Sequence, residues 1–112
     1  MKKSPARAPS SLSAEARRLY RQLVAEYEIT DPAGRLLLRT ALQALDRMRE
    51  AQRLLRREGL VSRDRWGQAK PHPALGVERD ARVGMLSALR HLNLDVEPLR
   101  DHPGRPPTGG DT

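Results

Sequence analysis

Apolar residues recur at helical spacing over three stretches of the chain. In the first, Ala16, Leu19, Tyr20, Leu23, Val24 and Tyr27 follow the i, i+3, i+4 rule, with Ser13 placed to cap and Glu15 in the opening turn. This predicts a helix over about 13–28 with one apolar stripe. Thr30-Asp31-Pro32 is a second start signal, Asp31 capping and Pro32 in the first helical position, and Gly59 is the stop, so a second helix is expected over 32–58. At 1.5 Å per residue it would be roughly 40 Å long. Its apolar positions Leu37, Leu38, Ala41, Leu42, Ala44, Leu45, Met48, Ala51 and Leu55 cover about half the helix circumference, wider than the ~100° stripe of an ordinary surface helix. Two apolar neighbours are implied: the first helix on one flank, and a third helix or another copy of the protein on the other. The third helix is expected over 73–92, with Ala74, Val77, Ala81, Met85, Ala88, Leu89 and Leu92 on its apolar side and Leu75 and Leu86 at the margin.

Between Gly59 and Pro73 the helical period is lost. Leu60-Val61-Ser62 and Gln68-Ala69-Lys70 are spaced to pair as a small β-hairpin, at about 60–70, around Asp64-Arg65-Trp66-Gly67. A ribbon of two strands is marginal alone and needs support from a helix or a neighbouring subunit. Residues 1–11 read as a disordered basic arm and 98–112 as a disordered Pro/Gly-rich tail, leaving 12–97 as one helical domain. The fold class is therefore mainly α: an antiparallel helical hairpin, a third helix, and a small β-hairpin between the second and third.

Composition sharpens this picture. Among 112 residues there is no Phe, Trp occurs once and Tyr twice, so the buried payload is thin. With no cysteine to staple the fold, association between subunits is a natural supplement. The formal charge of +7 favours an anionic partner, and no apolar run approaches the ~20 residues that span a bilayer, so nucleic acid ranks ahead of membrane. The dominance of Arg over Lys is also what GC-rich coding alone produces. The start, Met-Lys-Lys-Ser-Pro, lacks the apolar core of a secretory signal, and an intracellular location is expected.

Residues Gly67 to Asp80 read Gly-Gln-Ala-Lys-Pro-His-Pro-Ala-Leu-Gly-Val-Glu-Arg-Asp. Physically, Pro71 and Pro73 fix φ and push Lys70 and His72 toward extended backbone, so an extended arm feeds the third helix. The stretch also resembles the signature of phage small terminase subunits. Leu12 to Leu19, Tyr27 to Asp31, Gly59-Leu60 and Leu92 to Asp95 fall in the matching order and spacing, so the resemblance covers about residues 12–97. It implies a ring of identical subunits that binds double-stranded viral DNA at the packaging start. It further implies recruitment and regulation of a large terminase subunit carrying the ATPase and nuclease, in the host bacterial cytoplasm.

Positive charge is densest toward the first half and the β-hairpin. Lys2, Lys3 and Arg7 on the arm, Arg17, Arg18 and Arg21 on the first helix, and Arg63, Arg65 and Lys70 on the hairpin have few acids nearby and are the candidate DNA contacts. The arginines of the second helix are interleaved with acids, Asp46 with Arg49 and Glu50 with Arg53 at i, i+3, which favours a solvated, salt-bridged face. Glu78 and Arg82 interrupt the apolar side of the third helix. They form either an edge pair reaching water or part of a subunit contact, for which Leu37, Leu45, Met48, Met85 and Leu89 are the other candidates. Trp66 either tucks onto the helices to anchor the hairpin or contacts DNA or the large subunit.

The first two helices superficially suit a helix-turn-helix, but the second is too long and too apolar to read a groove. No phosphate-cradling Gly-x-x-x-x-Gly-Lys-Ser/Thr occurs, and His72, His91 and His102 are not arranged with carboxylates as ligands or acid/base groups. The expectation is a non-catalytic protein without cofactor or metal. Its alternative is a helical scaffold or adaptor with incidental charge; a third reading is a basic RNA-binding module.

Overall fold

Side-chain caps set the helix boundaries. The computed structural model describes residues 7–94, and in it α1 spans Ala14–Tyr27, α2 Pro32–Glu58 and α3 Ala74–Leu92. Ser13 accepts the Ala16 N–H at 3.1 Å, and Asp31 accepts that of Gly34 at 2.8 Å with Pro32 following. Each satisfies an amide that the first helical turn leaves without a partner. α1 ends on Glu28 in the left-handed region (φ 51°). The Ile29 N–H then returns to the Val24 carbonyl, the Ile29 side chain enters the core, and Arg35 Nε donates to the Ile29 carbonyl at 2.9 Å. That short turn is thus held from both sides.

α3 starts differently. Pro73, expected as the first helical residue, takes the cap position and has no side-chain acceptor to offer. His72 supplies it instead: Nδ1 accepts the Ala74 N–H at 2.9 Å while Nε2 lies 2.7 Å from Glu58 Oε1. An accepting Nδ1 fixes the tautomer, so Nε2 carries the proton and donates to Glu58. The imidazole is buried and joins the end of α2 to the start of α3.

The helices form an antiparallel succession. Gln52 meets Glu78 and Glu58 meets His72, while Leu37 and Leu92 share a pocket at the other end, so α3 runs back along α2. Contact between α2 and α3 is far more extensive than between α1 and α2. The second apolar flank of α2 is therefore occupied within the chain. The buried residues of α3 are Ala74, Ala81 and Ala88, seven apart on one face. Small side chains let the two backbones approach closely. Leu12, Ala16, Tyr20, Val24 and Ile29 pack with Leu38, Leu42, Leu45, Met48 and Ala81 in the main core. Residues ahead of α1 join it too: Ala8 packs against the core, and the Leu12 N–H closes a turn on the Pro9 carbonyl. The remainder of the expected basic arm, residues 1–6, and the expected tail lie outside the described residues.

Between α2 and α3, β1 (Val61–Arg63) and β2 (Ala69–Pro71) pair antiparallel. Each strand begins one residue later than expected, and Ser62 pairs with Lys70 and Arg63 with Ala69. The reason is the turn. Asp64 N–H donates to the Gln68 carbonyl and Gly67 N–H to that of Asp64, leaving a three-residue loop, Arg65 to Gly67, with Gly67 at φ 80°. A type I turn closed by a left-handed glycine fits this loop length.

Two substitutions probe the packing. A Cβ at Gly34 would lie 2.8 Å from Asp31 Oδ1 and 2.9 Å from Ile29 Cγ2. Gly34→Ala, which stabilises an ordinary helix interior by about 1 kcal/mol, is expected to lower the melting temperature because the cap and Ile29 cannot both yield. Ala81→Leu is expected to destabilise by roughly 1–3 kcal/mol through overpacking of the α2–α3 seam, read by urea denaturation.

Candidate nucleic-acid interface

The β-hairpin presents the densest set of exposed functional side chains. Its tip is pinned by Asp64, whose Oδ1 accepts the N–H groups of Trp66 and Gln68, each at 2.9 Å. The same carboxylate takes the Lys70 ammonium at 3.7 Å through Oδ2. The one acid of the ribbon is thus engaged within the loop. Arg63 donates through Nη1 to the Gly67 carbonyl at 2.7 Å, and the Arg65 guanidinium lies over the Trp66 ring, 4.9 Å from its centroid. Trp66 itself is 73% exposed, so it does not anchor the ribbon against the helices. The ribbon has only sparse contact with the helices and is held at its base by the His72 N–H to the Leu60 carbonyl.

The remaining basic candidates lie elsewhere. Arg18 and Arg21 are exposed, one turn apart on α1, and Arg7 is exposed ahead of it. Arg17 is half-buried and turned inward, donating to the Leu12 carbonyl at 2.6 Å and that of Ser10 at 3.4 Å, so it braces the segment before α1. Lys2 and Lys3 lie outside the described residues. The structure places Arg63, Arg65, Trp66 and Lys70 on one hairpin, with Arg63 and Lys70 on opposite faces of the ribbon, and the α1 arginines on a separate element.

The expected i, i+3 partnerships of α2 are not formed. Asp46 accepts the Ser13 N–H at 2.8 Å and the Ser13 hydroxyl at 2.5 Å, and Arg49 reaches Glu15 at 3.0 Å, so these two residues clamp α1 to α2. Among the described residues Arg47 and Arg53 form no ion pair. With Arg57 they border an open groove floored by Ala51, Leu54 and Val77.

The residues assigned on sequence grounds to a subunit contact are largely used within the chain. Leu45 and Met48 are core residues, 5 and 6% exposed, because α1 and α3 enclose α2 from both sides. Met85 packs against that core, and Leu37 and Leu89 are half-buried. Glu78 accepts from Arg82 Nη2 at 2.5 Å and from Gln52 Nε2 at 3.2 Å, so the acid bridges α3 to α2, with Arg82 on the exposed side. The apolar surface left open lies instead at Val83 (59% exposed) and Leu86 (49%), one turn apart on α3, and at Leu36 on α2. The signal for Val83 was present in the spacing: it lies opposite the alanine face.

Among the described residues no group of three or more His, Cys, Asp or Glu is placed to hold a metal ion, and no helix is long and apolar enough to cross a membrane. A family model described as phage terminase, small subunit, matches residues 14–97. The chain belongs to this family. The match takes in all three helices and the hairpin, so the exposed ribbon and the alanine seam of this terminase small subunit both lie inside the family region. No curated protein and no solved structure matches significantly.

The carboxyls of Glu15 and Glu78 are held low by their partners on the facing and same helices. The Arg49 guanidinium donating to Glu15 holds it below the usual 4.5, and Arg82, then Gln52, do the same for Glu78. A carboxyl with a depressed folded-state pKa stabilises the fold above its unfolded value and loses that contribution as pH falls through the lowered one. Glu78→Gln is expected to lower the melting temperature near neutral pH. The gap from the wild type should close as the melts are taken below pH 4.5.

Proposed function

We propose that this terminase small subunit binds double-stranded phage DNA at the packaging start as an oligomeric ring, and that it recruits and regulates the large ATPase/nuclease subunit. The observation that carries the DNA-binding part is the β-hairpin. It is a projecting ribbon whose cations, Arg63, Arg65 and Lys70, are exposed, and whose single acid, Asp64, is engaged in its own loop. Arg18 and Arg21 on α1, with Lys2, Lys3 and Arg7 ahead of it, add positive charge. Phosphate contacts of this kind are individually weak and sequence-tolerant. A ring multiplies them, because copies already held together raise each other's effective concentration at the DNA.

For the subunit contact the favoured surface is the exposed face of α3 at Val83 and Leu86. Arg79 and Arg90 lie on the same side of the helix and give that face a charged border. Regulation of the large subunit rests on family membership, and within it this chain's part is binding and presentation of DNA, without catalysis of its own. The same exposed apolar positions favour a second reading, a helical scaffold or adaptor that joins proteins and meets nucleic acid only through charge.

Native mass spectrometry with and without a short duplex separates these readings. An oligomer that retains the duplex at physiological salt is expected; an oligomer that never retains it supports the scaffold. Leu86→Glu should shift the mass distribution toward monomer, and an unchanged distribution would exclude this face as the subunit contact. Reversal of Arg63 and Lys70 to Glu should weaken duplex binding and flatten its dependence on salt, with a slope of about −0.9 lost per phosphate contact removed.

A further inference from the structure

Trp66 is built into the hairpin in a way that phosphate binding does not require. The ring is the most exposed large apolar side chain among the described residues, in a protein with no other Trp. One face of the indole is covered by the Arg65 guanidinium at 4.9 Å from the centroid. The opposite face is free to solvent. The backbone that carries the ring is fixed by the Trp66 N–H to Asp64 Oδ1, by the Gly67 N–H to the Asp64 carbonyl, and by the left-handed Gly67. A presented aromatic with only two side-chain torsions loses little conformational entropy on binding.

We propose that the free face of Trp66 stacks on an unstacked nucleobase, so that the hairpin reads DNA by where its stack opens as well as by its charge. This rests on the DNA-binding reading above and deepens it. In an intact duplex both faces of every base are covered by neighbouring pairs, so an aromatic finds a partner only at a bulge, a mismatch, a junction or a readily unstacked pyrimidine–purine step. The resulting arrangement is a layer of guanidinium, indole and base. Arg65 keeps its N–H groups at the layer's edge, where the phosphate flanking the displaced base would lie. Arg63 and Lys70, on the paired strands behind the tip, hold the backbone on either side. The sparse contact between ribbon and helices leaves room for a strand to pass the tip.

A large exposed apolar ring can equally be a protein contact, and the single Trp makes the distinction direct. Wild-type emission is titrated with a fully paired duplex, with the same duplex carrying a short bulge, and with inorganic polyphosphate, which has charge and no base. Binding is followed in parallel by the anisotropy of a label on the DNA. The expected result is strong quenching by the bulged duplex, weaker quenching by the paired one and none by polyphosphate. Trp66→Ala is expected to weaken the bulged duplex by about 10-fold, the effect of losing one stacked base, and the paired duplex far less. Trp66→Phe should restore most of the difference.

Equal quenching by polyphosphate, or equal weakening of both duplexes by Trp66→Ala, overturns the proposal. Binding by anisotropy with unaltered emission also overturns it and assigns Trp66 to a protein partner, leaving the DNA-binding reading intact. An absence of any anisotropy change with either duplex overturns both. Because the ring is exposed, the melting temperature of both variants is expected to match the wild type, so a change in affinity reports the tip and not the fold.

Discussion

The close packing of α3 on α2 through alanines is the constraint from which the remaining arrangement follows. Ala74, Ala81 and Ala88 give α3 a shallow face, and it lies against the half-circumference of apolar surface that makes α2 unusual. Dispersion falls steeply with separation, so a seam of small side chains contributes only if the backbones come near enough to fill it. Once they do, the larger residues must go elsewhere. Leu38, Leu42, Leu45 and Met48 fill the main core, where Tyr20, Val24 and Ile29 on one side and Ala81 of α3 on the other meet them. The core of a chain with no Phe is thereby assembled from apolar side chains of all three helices and the segments flanking α1, with Tyr20 as the aromatic among them.

Polar contacts then fix the registers that apolar packing leaves loose. Ser13 and Glu15 engage Asp46 and Arg49, setting α1 along α2, while His72 and Glu58, with Gln52 and Glu78, set α3. Apart from the buried His72, the members of these pairs lie near the surface and fix alignment more than they stabilise. The hairpin keeps a net positive charge, because its one acid, Asp64, pairs with Lys70 and, among the described residues, Arg63 and Arg65 form no ion pair.

The three helices and the intervening hairpin were legible in the sequence because their signals are local. Ser13, Asp31-Pro32 and Gly59 act on backbone amides within a turn or two, and hydrophobic spacing reports which face is buried. The width of the apolar sector of α2 correctly implied two neighbours. What spacing does not contain is the identity of the second neighbour, which is why Leu45 and Met48 read as subunit contacts although the chain's own α3 closes over them. The strand bounds came out one residue early for a related reason: Asp64 and Gly67 select a three-residue loop through side-chain and φ preferences that alternation does not reveal. Partners distant in sequence, such as Ser13 with Asp46 or Gln52 with Glu78, have no local signature. At the candidate interface, residue types and approximate positions were readable; the inward turn of Arg17 and the outward placement of Trp66 were not.

Each helix packs most directly on the element next to it in the chain, α1 on α2 and α2 on α3, with the hairpin closing on itself. Nothing in this succession needs the chain ends to find one another first. Helical topologies dominated by such near-neighbour contacts fold in microseconds to milliseconds, roughly. Two copies at micromolar concentration meet productively on the order of a tenth of a second to ten seconds. Folding therefore finishes well before association begins, and any assembly is built from finished subunits whose apolar interior is already closed. Newly made chains are thereby protected from tangling with one another by timing.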